Sequence, residues 1–245
     1  MITVNKWVGT LSFVLILGLA AYSQNQSPYN GNIDMDQVEK DLEYLASKKM
    51  KGRMAGTNQE KAAAKYIVKR FEDIGLQPRG DDGTFYQSLM VPENPDVHAD
   101  PDGKKVEAFN VVGFIDNSAK KTVVIGAHYD HLGMGEFNAL STNTKEPYNG
   151  ADDNASGVAA MIELASLLKN AKYTHNNYLF IAFTGEEMGL FGSKHFVKQE
   201  EDLLKTVNYM LNLDMVGRMN DEKKLIINGV GTSAVWKYVM KTLEV

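Results

Sequence analysis

Three short polar segments follow apolar runs in this 245-residue chain, and each begins with groups able to bind a cation or move a proton. The run ending at Ala127 is followed by His128-Tyr129-Asp130, the run ending at Thr184 by Gly185-Glu186-Glu187, and the run ending at Leu213 by Asp214. A fourth contribution, the glycine-flanked loop Gly150-Ala151-Asp152-Asp153-Asn154, opens a helical stretch. Ligands of open α/β sheets bind beyond the carboxyl ends of the strands, which is where these residues fall. Each alone has an ordinary structural reading: Asp153 as a helix cap, Glu186 and Glu187 as a solvated turn, His128 as a hydrogen-bonded core histidine. Gathered at one sheet edge, four carboxylates and an imidazole would repel unless cations neutralised them. A divalent metal does so. The chain has no cysteine, so its ligands must be histidine and carboxylate. Three carboxylates against two dications leave about +1, suited to holding hydroxide. Residue type does not decide whether Asp152 or Asp153 faces the metal.

The elements that would carry these groups are legible from periodicity. Val38, Leu42 and Leu45 at i, i+4, i+7 predict a helix within residues 36–47. Thr57-Asn58-Gln59-Glu60 has the form of a capping box, followed at helical spacing by Ala63, Tyr66, Ile67, Phe71 and Ile74 until Gly75 stops the run. Strands are expected near 86–91 and 106–115, joined by a surface loop, Pro92 to Gly103, that holds a solvated His98. Apolar runs at 122–127, 178–183 and 209–213 then alternate with helical patterns at 155–168 and 190–198, the rhythm of βαβ units. A further strand (224–228) and helix (233–243) are expected, making one α/β domain. The last pattern reaches Val245 without a stop signal, which predicts that the chain ends inside an element.

Quoted together, Gly126-Ala127-His128-Tyr129-Asp130-His131, Gly150-Ala151-Asp152-Asp153-Asn154-Ala155-Ser156-Gly157, Thr184-Gly185-Glu186-Glu187-Met188-Gly189-Leu190 and Asn212-Leu213-Asp214-Met215 resemble the zinc aminopeptidases of metallopeptidase family M28 in order and spacing. Gly52-Arg53-Met54-Ala55-Gly56-Thr57 resembles the family's entry to an amino-terminal helix, so the similarity covers residues 36–245. The resemblance implies a mixed, mostly parallel central sheet with helices on both faces. It also implies two zinc ions: His128 and Asp214 on one, Glu187 on the other, Asp153 bridging both, and Glu186 off the metal as general base. Asp130 would accept a hydrogen bond from the second nitrogen of His128 and fix its tautomer. A cis peptide between Asp153 and Asn154 is implied too. The implied activity is hydrolysis of the N-terminal peptide bond of peptides by a di-zinc-bound hydroxide; glutaminyl cyclisation, carboxypeptidase action and a non-catalytic receptor-like domain are the alternatives on the same fold.

One departure stands out. The family's second histidine ligand would lie beyond Val245, so the catalytic domain (36–245) is expected to lack its C-terminal part. His131 is only three residues from His128 and is not expected to replace it; His175 and His195 read as surface or packing residues. At the other end, Lys6 precedes a 15-residue apolar stretch, Trp7 to Ala21, and small residues follow. That run falls short of the ~20 residues needed to span a bilayer, so residues 1–23 read as a signal peptide and 24–35 as a linker. A periplasmic or secreted protein without stable membrane association is expected. Cleavage removes Lys6 as the only charge, taking the net charge from -5 to -6. With that balance and no basic stripe, nucleic acid is excluded as a partner.

Overall fold

Residues 32–93, 103–135, 146–219, 221 and 226–242 are described by a computed structural model. The expected leader, most of the linker and the segment around His98 lie outside them. Asp34 caps α1 (Met35–Leu45), its carboxylate accepting the Gln37 N–H at 3.0 Å. A 3-10 turn (Lys48–Arg53) leads to α2 (Asn58–Ile74), where Thr57 accepts the Glu60 N–H at 3.2 Å and Gly75 closes the last turn at φ +82°. Only this half of the expected capping box forms. The Glu60 carboxyl turns into the core instead and accepts from the Phe109 N–H and from the hydroxyls of Tyr129 and Thr184. Three donors from three strand segments outweigh one main-chain N–H at a helix end.

The strands β1 (Gln77–Pro78), β2 (Tyr86–Pro92), β3 (Lys105–Ile115) and β4 (Thr122–His128) precede α3 (Gly157–Asn170). After it come β5 (Asn177–Phe183), α4 (Phe191–Gln199), α5 (Glu201–Leu204), β6 (Val207–Asn212) and α6 (Val235–Thr242). The sheet runs β1-β3-β5-β4-β6, with β2 also on β3. It is mixed: β3 is antiparallel to β1, β2 and β5, while β4 is parallel to β5 and β6. The parallel part is thus confined to the three strands that lead into the polar segments. Their register is level, since His128 pairs with Phe183 and Gly126 with Asn212, so all three discharge at one edge.

Helices cover both faces. Ala63, Ala64, Ile67 and Phe71 of α2 and Val158, Met161 and Ile162 of α3 join Val111, Val123, Ile125 and Phe180 in one core. Phe196 of α4 packs with Val112, Val124, Leu179, Ile181 and Phe183 on the other side. Every position of β4 is buried, as a central parallel strand requires. β6 differs, because among the described residues it pairs only with β4, and Tyr209, Met210 and Leu211 are exposed. The strand expected at 224–228 is not seen in its described part: residues 226–229 have no regular structure, and 222–225 lie outside the described residues.

Candidate metal centre

His128 is the last residue of β4, and its ring is nearly buried. Nε2 lies 3.1 Å from Asp153 Oδ1 and 3.6 Å from Asp214 Oδ1. These separations suit donors sharing one ion: tetrahedral ligands at ~2.0–2.2 Å from zinc stand about 3.3–3.6 Å apart. Asp153 also belongs to a second set with His131 and Glu187, so one carboxylate is common to two groups of donors. Glu186 belongs to neither, although its Oε2 is 4.0 Å from His128 Nε2.

The charge balance points the same way. Burial of the His128 ring opposes its protonation, yet Asp130, Asp153 and Asp214 outweigh burial and push it up to about 12. The Asp153 carboxyl is held below its ordinary value, chiefly by the hydrogen bond with His128 and against its own partial burial. These carboxylates therefore demand a cation at this point, and a divalent ion on neutral imidazole and carboxylate oxygens satisfies the demand. Burial raises the Glu186 carboxyl; the His128 cation opposes this, and the negative charges of Asp130, Glu187 and Asp214 reinforce it.

Which aspartate faces the cluster is decided by the loop. Asp152 Oδ1 accepts the Gly217 N–H at 3.0 Å, so that carboxylate serves the chain after β6. Asp153 is joined to Asn154 by a cis peptide, the bond that the family resemblance implies. Asn154 is fully buried and ties two ligand segments together: its Nδ2 donates to the Leu213 carbonyl at 2.9 Å, and its Oδ1 accepts the N–H groups of Gly157 and Met215, both at 3.1 Å. Close approach requires the glycine at 157, since a Cβ there would stand 2.4 Å from the Leu213 carbonyl oxygen.

Asp130 does something different from what the sequence led us to expect. The nearest acceptor for His128 Nδ1 is the main-chain carbonyl of Asp130 at 3.2 Å; the carboxylate is 3.7 Å away. That carboxylate instead accepts the Glu186 N–H at 3.1 Å on Oδ1 and faces the Glu187 N–H at 3.4 Å on Oδ2. Asp130 therefore orients the glutamate turn directly, and the imidazole through its main chain. The carboxylates of Asp153, Glu186 and Asp214 remain 37%, 35% and 45% exposed, so the cluster opens to solvent above a dry floor.

His131 enters the cluster despite its short spacing from His128. Its Nδ1 is 2.6 Å from Glu187 Oε1, too short for two donors on one tetrahedral ion and right for a hydrogen bond in which the ring donates. Arg53 is a second residue whose part was not read from the sequence. Its guanidinium is fully buried beneath the loops, where burial lowers it to about 10 against the charges of Asp130, Asp153 and Glu187. The available signal was a lone cation in the otherwise small and apolar run Gly52 to Gly56. His175 is exposed and His195 half-buried on α4, as their surroundings in sequence indicate.

Residues 110–244 match the family described as Peptidase family M28. Over 186 residues the chain is 30% identical to the alkaline phosphatase isozyme conversion protein of Escherichia coli, covering 74% of this chain and 51% of that protein. It is 35% identical over 137 residues to a probable leucine aminopeptidase of Arthroderma otae, covering 49% of this chain and 34% of that one. A glutaminyl-peptide cyclotransferase of Dictyostelium discoideum is 27% identical over 223 residues, covering 76% and 57%. The chain thus spans between a third and somewhat over half the length of these relatives. Among solved structures, a Zn-dependent exopeptidase from Parabacteroides distasonis shares the fold with a TM-score of 0.62 at 24% identity, covering 78% of this chain and 64% of that one.

Proposed function

The chain belongs to Peptidase family M28, and on that premise we propose that it acts as an exported zinc aminopeptidase that releases N-terminal residues from peptides. The observation that carries this reading is the sharing of Asp153 between two donor sets, with Glu186 beside them and outside both. His128, Asp153 and Asp214 would hold one zinc; Asp153 and Glu187 would hold the other. Zinc held there supplies Lewis acidity, which polarises the scissile carbonyl and makes water a stronger acid near neutral pH.

The protein's own groups do the rest. Glu186 accepts a proton from the attacking water and returns it to the departing amine, a task for which a carboxyl raised by burial is matched. Asp130 holds the Glu186 and Glu187 N–H groups, so the base and its metal-binding neighbour keep separate directions. Aminopeptidase rather than carboxypeptidase action is the reading that the relatives favour, a probable leucine aminopeptidase among them.

Cyclisation of an N-terminal glutaminyl residue is the second reading, favoured by the likeness to a glutaminyl-peptide cyclotransferase over three quarters of the chain. Both reactions begin with a free amino end and a polarised carbonyl. Assaying the protein on a leucyl anilide and on a glutaminyl peptide separates them: anilide hydrolysis with release of free glutamine supports the aminopeptidase, and pyroglutamyl product without anilide hydrolysis supports the cyclase. Export by a leader over residues 1–23 accompanies either reading; among the described residues no helix is long and apolar enough to cross a membrane.

A further inference from the structure

We infer that Arg53 is a positioning residue of the proposed zinc site, a buried guanidinium that fixes the exit of β4, which carries His128, relative to the loop that carries Asp153; the inference rests on the zinc reading above. Its donors reach four main-chain carbonyls on three segments. Nε donates to Tyr129 at 2.7 Å, between His128 and Asp130. Nη1 donates to Asn149 at 2.6 Å and to Leu45, at the end of α1, at 2.7 Å, while Nη2 donates to Gly150 at 3.0 Å, three residues before Asp153. The side chain thus joins the exit of β4 to the entry of the bridging-aspartate loop through one rigid plane.

Two observations separate this from an ordinary core staple. First, the four carbonyls that accept its hydrogen bonds are all neutral, although the group is a fully buried cation. Carbonyls satisfy its hydrogen bonds but leave its charge, and the charges felt most are those of Asp130, Asp153 and Glu187. The guanidinium therefore lies where its field steadies the carboxylates of the site before metal arrives. Second, the fit is close: at Gly150, where φ is +59°, a Cβ would stand 2.7 Å from Arg53 Nη2, 2.6 Å from the His131 ring and 2.4 Å from the Asp153 carbonyl oxygen. Arginine, glycine, histidine and bridging aspartate thus meet at one point. Lysine cannot substitute, because its donors radiate from one nitrogen and cannot reach Tyr129 and Gly150 together.

The test is zinc affinity measured by chelator competition on the zinc-loaded protein, alongside thermal unfolding of the metal-free form. Arg53→Lys, and Arg53→Gln as a neutral second variant, are compared with Arg70→Lys, which alters the Arg70–Asp41 pair between α2 and α1. A positioning role predicts zinc binding about 10- to 100-fold weaker in the folded Arg53 variants, and unchanged zinc affinity in Arg70→Lys whatever its melting temperature. An Arg53→Lys or Arg53→Gln protein that folds and binds zinc like the wild type overturns the inference, as does failure of both to fold, which would make Arg53 a folding staple. Wild-type protein that binds no zinc would instead overturn the reading of the site itself.

Discussion

Nε2 of His128 and Oδ1 of Asp153 stand 3.1 Å apart although one ends a central strand and the other lies in a loop 25 positions later. Neither element creates this contact alone. The level register of β4, β5 and β6 brings three strand exits to one edge, and Asn154 then pins the Asp153 loop to the chain that bears Asp214.

Glu186 is close enough to serve the cluster but belongs to neither donor set. Replacing it with Gln is expected to lower turnover by about 10²–10⁴-fold with zinc content unchanged. Parallel assays of hydrolysis and metal content check this; equal turnover would remove Glu186 from the role of base.

Asn154→Ala strands the Leu213 carbonyl and the N–H groups of Gly157 and Met215. Of these the Gly157 N–H makes the fully buried contact, and leaving it unpaired costs about 1–3 kcal/mol. Chemical denaturation is expected to show a loss of at least that size, and zinc titration a weakened site, because Asp214 loses its anchor. A variant as stable as the wild type would mean that the loop is held by something else.

His131 orients Glu187 through one short hydrogen bond. His131→Ala is expected to weaken zinc binding by about 10- to 100-fold while leaving the fold intact by circular dichroism. Unchanged affinity would show that Glu187 keeps its position without the imidazole.

Glu60 gives the fold a pH dependence of its own. Burial lifts its carboxyl from 4.5 to about 7, against the hydrogen bonds from Tyr129, Phe109 and Thr184. Between these values the folded protein binds more protons than the unfolded chain, so this group's contribution is full below pH ~4.5 and is lost as pH rises through about 7. The shift corresponds to about 3 kcal/mol at most. Urea midpoints between pH 5 and 7.5 are expected to fall more steeply for the wild type than for Glu60→Gln; identical slopes would exclude the group.

Much of this was open to reading in the sequence. Helical spacing gave α2 with Thr57 and Gly75 at its ends, and the βαβ rhythm gave the strands whose exits hold His128, Glu186, Glu187 and Asp214. Hidden were contacts that depend on loop paths. Glu60 looked like a capping partner because the competing donors, Tyr129, Phe109 and Thr184, are 49 to 124 residues distant. His131 looked too near His128, but the path of the chain after β4 brings its ring to Glu187. Asp152 is drawn aside by hydrogen bonds from the Ser156 hydroxyl and from the Gly217 N–H, the second of them 65 residues distant and encoded by no local pattern. Arg53 binds only main-chain carbonyls, which carry no sequence signature.

Zinc content per chain, measured by mass spectrometry on the wild type, Asp153→Ala and Asp152→Ala, tests the central claim most directly. A bridging Asp153 predicts two zinc ions in the wild-type protein, loss of most of both in Asp153→Ala, and retention in Asp152→Ala. Zinc retained in full by Asp153→Ala, or no zinc in the wild type, would contradict the shared-carboxylate site.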